Sequence, residues 1–106
     1  MEYSKYVVII AEPAKEDLVE IDDYISIELN APIAARNMLL SMHRALGQLS
    51  VSPYSQPKVR DDRLAAQGYR WIGVKNYVVF YTIDEQAKLV AVERILYGRR
   101  DWAQIL

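Results

Sequence analysis

Cysteine is absent from this chain of 106 residues, histidine occurs once, and glycine and proline occur only four times each. Without cysteine there are no disulfides, thiolate metal sites or thiol nucleophiles, which suits a reducing compartment and an expected cytoplasmic location. The lone histidine, His43, has no second His or Cys to build a metal site with, and the neighbouring pairs Asp22-Asp23 and Asp61-Asp62 would not face one ion in regular structure. No Gly-x-Ser-x-Gly elbow accompanies His43, and no glycine-rich phosphate loop is present, so neither a bound metal nor a cofactor is expected. Few glycines and prolines together with 52% apolar and 25% charged residues exclude disordered and fibrous classes. No apolar run reaches membrane-spanning length, and the short β-branched run near the amino terminus is followed at once by acidic residues, unlike a signal peptide. The length fits a single domain over residues 1–106.

A formal charge of −1 conceals an uneven distribution. Residues 1–50 carry 4 Lys/Arg against 8 Asp/Glu, hence −4, and residues 51–106 carry 9 against 6, hence +3. One acidic and one basic face would meet different partners, although the basic part is modest beside a dedicated nucleic-acid binder.

Periodicity assigns the elements. Lys5–Ala11 is rich in β-branched residues and reads as a strand, and Pro13 suits the first turn of a helix. Leu18, Ile21, Ile25 and Leu29 recur at helical spacing, Asn30-Ala31-Pro32 breaks that helix, and Ala35, Met38, Leu39, Met42, Leu46 and Leu49 resume the period in a second. Residues 52–67 have two prolines and no clear period and read as a long surface loop. Tyr69–Val74, Tyr77–Ile83 and Lys88–Tyr97 are strands joined by tight turns, an antiparallel meander. The expected class is α+β: an antiparallel sheet made of the amino-terminal strand and the meander, with a helical hairpin packed on one face.

Alternation then orients the side chains. Tyr77, Val79, Tyr81 and Ile83 share one strand face, and Tyr69 and Trp71 are expected to pack with them under the hairpin. Tyr97, beside Gly98 at a strand end, is the aromatic placed to be available. Arg94 has the parity of Val90, Val92 and Leu96, and Arg70 that of Ile72 and Val74. A guanidinium on an apolar face needs a partner. Each is either paired with a helix carboxylate or lines, with Arg99 and Arg100 at its edge, a basic concave face suited to phosphate or acidic side chains.

The closing segment carries a resemblance. Arg94-Ile-Leu-Tyr-Gly-Arg-Arg-Asp-Trp102, with the hairpin before it, is similar to the last strand of the RelE/ParE family of toxins from bacterial toxin-antitoxin modules. That strand typically reads Arg-hydrophobic-Leu-His-Gly-Arg-Arg-Asp-aromatic, and here Tyr97 stands where His is common. The resemblance spans essentially the whole chain and implies the same hairpin-on-sheet fold. It implies two alternative activities. Ribosome-dependent mRNA endoribonucleases of the RelE/YoeB type work without metal, and for that chemistry the matching residues are Arg70, Arg94, Tyr97 and Arg100; but Ile72, Val78, Leu96 and the terminal Leu106 stand where that mechanism uses basic or proton-transferring groups. The long hairpin and the Gly-Arg-Arg-Asp-Trp ending look more like the ParE branch, which inhibits DNA gyrase by binding. The expected target-binding residues are then Arg70, Arg94, Tyr97, Arg99, Arg100 and Trp102. A non-toxic interaction domain of the same fold is the third reading. The implied partners are a cognate antitoxin, which would also supply contact with operator DNA, and gyrase, or in the alternative ribosome and mRNA; a homodimer is a further arrangement left open, and no membrane is involved.

Overall fold

Four consecutive β-branched residues form β1 (Val7–Ile10) in a computed structural model that describes residues 5–100 and 102–106. Pro13 lies in the first turn of α1 (Glu12–Asp23), where its missing N–H is no loss, and Ala14, Asp17 and Ile21 are the residues this helix buries. After Asp23 the helix widens into one π turn, Tyr24–Glu28, where the Ser26 hydroxyl donates to the Asp22 carbonyl at 2.7 Å. Asn30 takes a left-handed conformation (φ 50) that reverses the chain. Pro32 then opens α2 (Pro32–Val51), which buries Ala35, Met38, Met42, Ala45 and Leu49, an alternating spacing of three and four that puts them on one face. The hairpin is as the sequence pattern predicts.

The meander follows as β2 (Arg70–Val74), β3 (Tyr77–Asp84) and β4 (Leu89–Tyr97). The sheet has four strands in the order β1-β4-β3-β2. The meander is antiparallel as expected, but β1, expected to belong to the same antiparallel sheet, runs parallel to β4, from Val7 opposite Leu89 to Ile10 opposite Val92, because the long connection between them returns the chain in the same direction. The hairpin covers one face, where Ile21, Met38, Met42, Leu49, Val79 and Tyr81 belong to one core. Among the described residues no helix is long and apolar enough to cross a membrane.

Three further expectations are corrected. Residues 52–67 are not an open loop: Pro53–Ser55 forms a 3-10 turn, Asp62–Ala66 forms a short helix, α3, and Pro53, Val59 and Leu64 are buried. The Asp61 carboxylate caps α3 by accepting from the Leu64 N–H at 3.0 Å, and one apolar residue per turn, too sparse to show a period, anchors the segment. Second, Tyr69 and Trp71 do not lie under the hairpin. They pack on the opposite face around Phe80, Leu96, Val59 and Leu64, together with Trp102 of the terminal helix α4 (Trp102–Ile105), so the sheet is covered on both sides.

The third correction is a β-bulge. Phe80 pairs with Arg94 but Tyr81 pairs with Val92, so Glu93 is an extra residue in β4. Strict alternation would keep Arg94 and Leu96 on the face of Val90 and Val92; with the bulge, Ile95 joins the hairpin-side core and Leu96 the opposite one.

Candidate functional site

Among the described residues the edge of β4 has no strand neighbour beyond Val92 on this side, because β1 ends at Ile10. α1 supplies the missing acceptor there. The buried Asp17 carboxylate accepts from the Ile95 backbone N–H at 2.9 Å and from Arg94 through both Nε (2.8 Å) and Nη2 (2.9 Å). The side-on bidentate grip, with the charge of Asp17 beside it, holds the Arg94 guanidinium even more firmly protonated than usual. Arg94 is therefore paired to a helix carboxylate.

Past this clamp the strand ends in a cleft of about 160 Å³ lined by Asp17, Glu20, Tyr24, Tyr77, Tyr97 and Arg100 among others. It adjoins a groove of about 700 Å³ between the π turn, α2 and the β2–β3 turn, which shares Tyr24, Tyr77 and Tyr97 and adds Leu29, Met38 and Lys75. Tyr77 and Tyr97 face each other across the strand pair, ring centroids 5.7 Å apart and edge to face. Burial pushes the Tyr77 hydroxyl pKa above its ordinary value. Gly98 makes the close approach behind Tyr97: its N–H donates to the Asn76 carbonyl at 2.8 Å, and a Cβ there would stand 3.2 Å from that oxygen. Arg99 and Arg100 are exposed, and no side-chain bond joins either to another described residue.

Arg70 stands apart. It pairs with Tyr81 on the edge strand, four residues along β3 from Tyr77 or roughly 13 Å. Its Nη1 donates to the carbonyls of Gln56 (2.6 Å) and Tyr54 (3.4 Å), and its guanidinium lies 5.1 Å from the Tyr54 ring centroid. The Tyr81 hydroxyl, pushed up to about 12 by burial, donates to the Pro53 carbonyl at 2.6 Å and pins the same segment. Nearby, Glu85 accepts from Tyr6 (2.8 Å), Tyr54 (2.9 Å) and Lys88. Trp102 packs on Phe80, centroids 5.3 Å apart, and its indole N–H donates to the Gly98 carbonyl at 3.3 Å.

Of the residues singled out from sequence, the structure gathers Tyr97 and Arg100 at the cleft, with Arg94 clamped beside it by Asp17, another cleft-lining residue. Arg99 is adjacent in chain, Trp102 braces the segment from the other face, and Arg70 does not line the cleft. Asp101 lies outside the described residues. Asp17 and Tyr24 were not singled out by sequence. Asp17 is one of several carboxylates in its helix, but its spacing to Ala14 and Ile21 places it on the buried face, a usable signal. Tyr24 is half-exposed on the π turn and nothing local marks it.

A helical hairpin on one face of a four-stranded sheet, with a cleft where the last strand leaves it, defines a small α+β class. The chain matches the ParE toxin of type II toxin-antitoxin systems, parDE, over residues 8–102, and so belongs to the ParE toxin family. The chromosomal ParDE system of Pseudomonas aeruginosa contains a similar fold, with a TM-score of 0.70 at 15% identity over 88% of this chain and 96% of that one. The RelBE2 toxin-antitoxin complex of Mycobacterium tuberculosis contains another, with a TM-score of 0.62 at 20% identity over 88% and 98%. No curated protein matches the sequence.

Proposed function

We propose that this toxin arrests growth in the cytoplasm by binding DNA gyrase through the tyrosine-lined cleft and the Arg99-Arg100 edge, and that a cognate antitoxin neutralises it. The observation that carries the reading is the state of the arginines. Metal-independent RNA cleavage needs several cations turned toward one phosphate beside a proton-transferring group. Here Arg94 is held by Asp17 and Arg70 by the carbonyls of residues 54 and 56, on different elements. Tyr97 and the two exposed arginines are left, which is a binding surface. The opposite sheet face is filled by Phe80, Leu96 and the segments packed on them, so it offers no bed for a nucleic-acid strand.

The antitoxin would seat an amphipathic segment in the groove of Tyr24, Leu29, Met38 and Tyr97, or add a strand to the sheet edge. Operator DNA would be met through the antitoxin alone.

The test is direct. Purified protein is expected to inhibit gyrase supercoiling, with the antitoxin restoring it, while mRNA on translating ribosomes stays intact. Codon-positioned mRNA cleavage with gyrase unaffected would replace the binding reading by the nuclease one, and unchanged growth at verified expression would leave an interaction domain. An Arg99→Ala/Arg100→Ala double variant should lose toxicity while its stability moves by no more than about 0.5 kcal/mol per substitution.

A further inference from the structure

The outward face of the hairpin is not explained by the cleft. α2 carries no carboxylate, and turned away from its buried face is a stripe of Ile33, Arg36, Leu40, Arg44 and Gly47. Ile33 is 76% exposed and Leu40 49%. α1 is predominantly acidic: Glu12, Glu16, Glu20 and Asp23 face outward around Val19, which is 61% exposed, its one cation Lys15 is paired with Glu12 at 3.2 Å, and Ile27 of the π turn is 68% exposed. Apolar side chains this open on a helix pair, flanked by opposite charges on the two helices, ask for a cover of matching pattern.

We infer that the cover is a second copy of this chain. The two helices rise from one turn, Leu29–Ala31, and climb about 1.5 Å per residue, so counting outward from the turn gives the level of each side chain. Ile33 stands level with Ile27, Arg36 with Asp23, Leu40 with Val19 and Glu20, and Arg44 with Glu16. A two-fold axis parallel to the helices, midway between them and lying just outside the outward face of the hairpin, sets α2 of one copy antiparallel on α1 of the other at these same levels. Isoleucine then meets isoleucine, leucine meets valine, and each arginine meets a carboxylate, twice over by symmetry. A partner helix of uniformly acidic or uniformly basic character would satisfy only one of the two helices. This inference goes beyond the gyrase reading and rests on the outward face of the hairpin, which shares only Glu20 with the cleft lining.

Sedimentation velocity of the purified toxin across a concentration series reads the association directly. A concentration-dependent dimer is expected. Arg44→Glu and Glu16→Arg should each weaken it roughly tenfold or more, since symmetry doubles each reversed pair. The combined Arg44→Glu/Glu16→Arg variant should restore the dimer, because it rebuilds both pairs with signs exchanged. Both positions are exposed, so each variant should melt like the parent and unfolding will not mimic dissociation. A monomer at every concentration would overturn the inference. So would single variants that sediment as the parent does, a double variant that stays dissociated, or a hairpin face covered only when the antitoxin is bound.

Discussion

Replacing Arg94 by alanine strips the Asp17 carboxylate of two of its three donors and leaves it with the Ile95 N–H alone. The side chain of Asp17 is only 9% exposed, so water cannot take over, whereas that of Arg94 is 27% exposed. Breaking a buried pair from the cationic side should therefore cost about 3–5 kcal/mol. The converse, Asp17→Ala, orphans the Ile95 N–H but leaves a guanidinium that can swing to solvent, so about 2–3 kcal/mol is expected. In a domain of this size the first loss lowers Tm by roughly 15–30 °C, within the stability such folds usually hold. Urea unfolding of both variants and of the double, followed by circular dichroism with the slope checked for constancy, measures all three. The double should be less damaged than the two singles added together, with a coupling of about 1–3 kcal/mol. Additive losses, or an Arg94→Ala variant within about 1 kcal/mol of the parent, would refute the view that this pair secures the open edge of β4.

Glu85 predicts an acid limb. Hydrogen bonds from Lys88 first, then Tyr6 and Tyr54, lower its pKa from 4.5 to about 2 in the folded chain. Its folded value lies below its unfolded one, so its contribution is present above that ordinary value and is lost as pH falls from 4.5 toward about 2. Glu85→Gln should flatten the fall in melting temperature over that window, and an unchanged acid limb would count against the network. Gly98→Ala should cost about 1 kcal/mol in chemical denaturation by pressing a methyl on the Asn76 carbonyl, and should reduce toxicity by displacing Tyr97 and Arg100; a variant that melts and arrests growth like the parent would show that the approach is easily relieved.

The hairpin and meander were readable because their signals are local. Buried residues of α2 fall at strict three-and-four spacing, and two-residue or four-residue turns bound the strands. The bulge at Glu93 was not readable: a single inserted residue leaves the composition of β4 unchanged, yet it exchanges the faces of everything after it. That is why Leu96, which by parity shares the face of Val90 and Val92, is found against Phe80. The second core was hidden for a related reason. Besides Phe80 and Leu96 it is assembled from isolated apolar residues at 59, 64 and 102, each in a stretch too short to carry a period. The pairing expected of Arg94 was anticipated as one of two readings, but choosing Asp17 among its acidic neighbours required knowing where β1 stops.

The parallel pairing of β1 with β4 has a consequence for the order of events in synthesis. Val7 leaves the ribosome early and finds its partner, Leu89, only after eighty-two further positions, the difference of the two residue numbers, have followed. Until then the hairpin can wind up, but β1 has no strand beside it and closing so long a loop makes the last step slow. The strand that completes the sheet is also the one that delivers Arg94, Tyr97 and the arginines beyond. On the proposed reading, a nascent chain of this design lacks its cleft while it is being made, and the interval before β4 docks leaves a sheet edge open to the antitoxin.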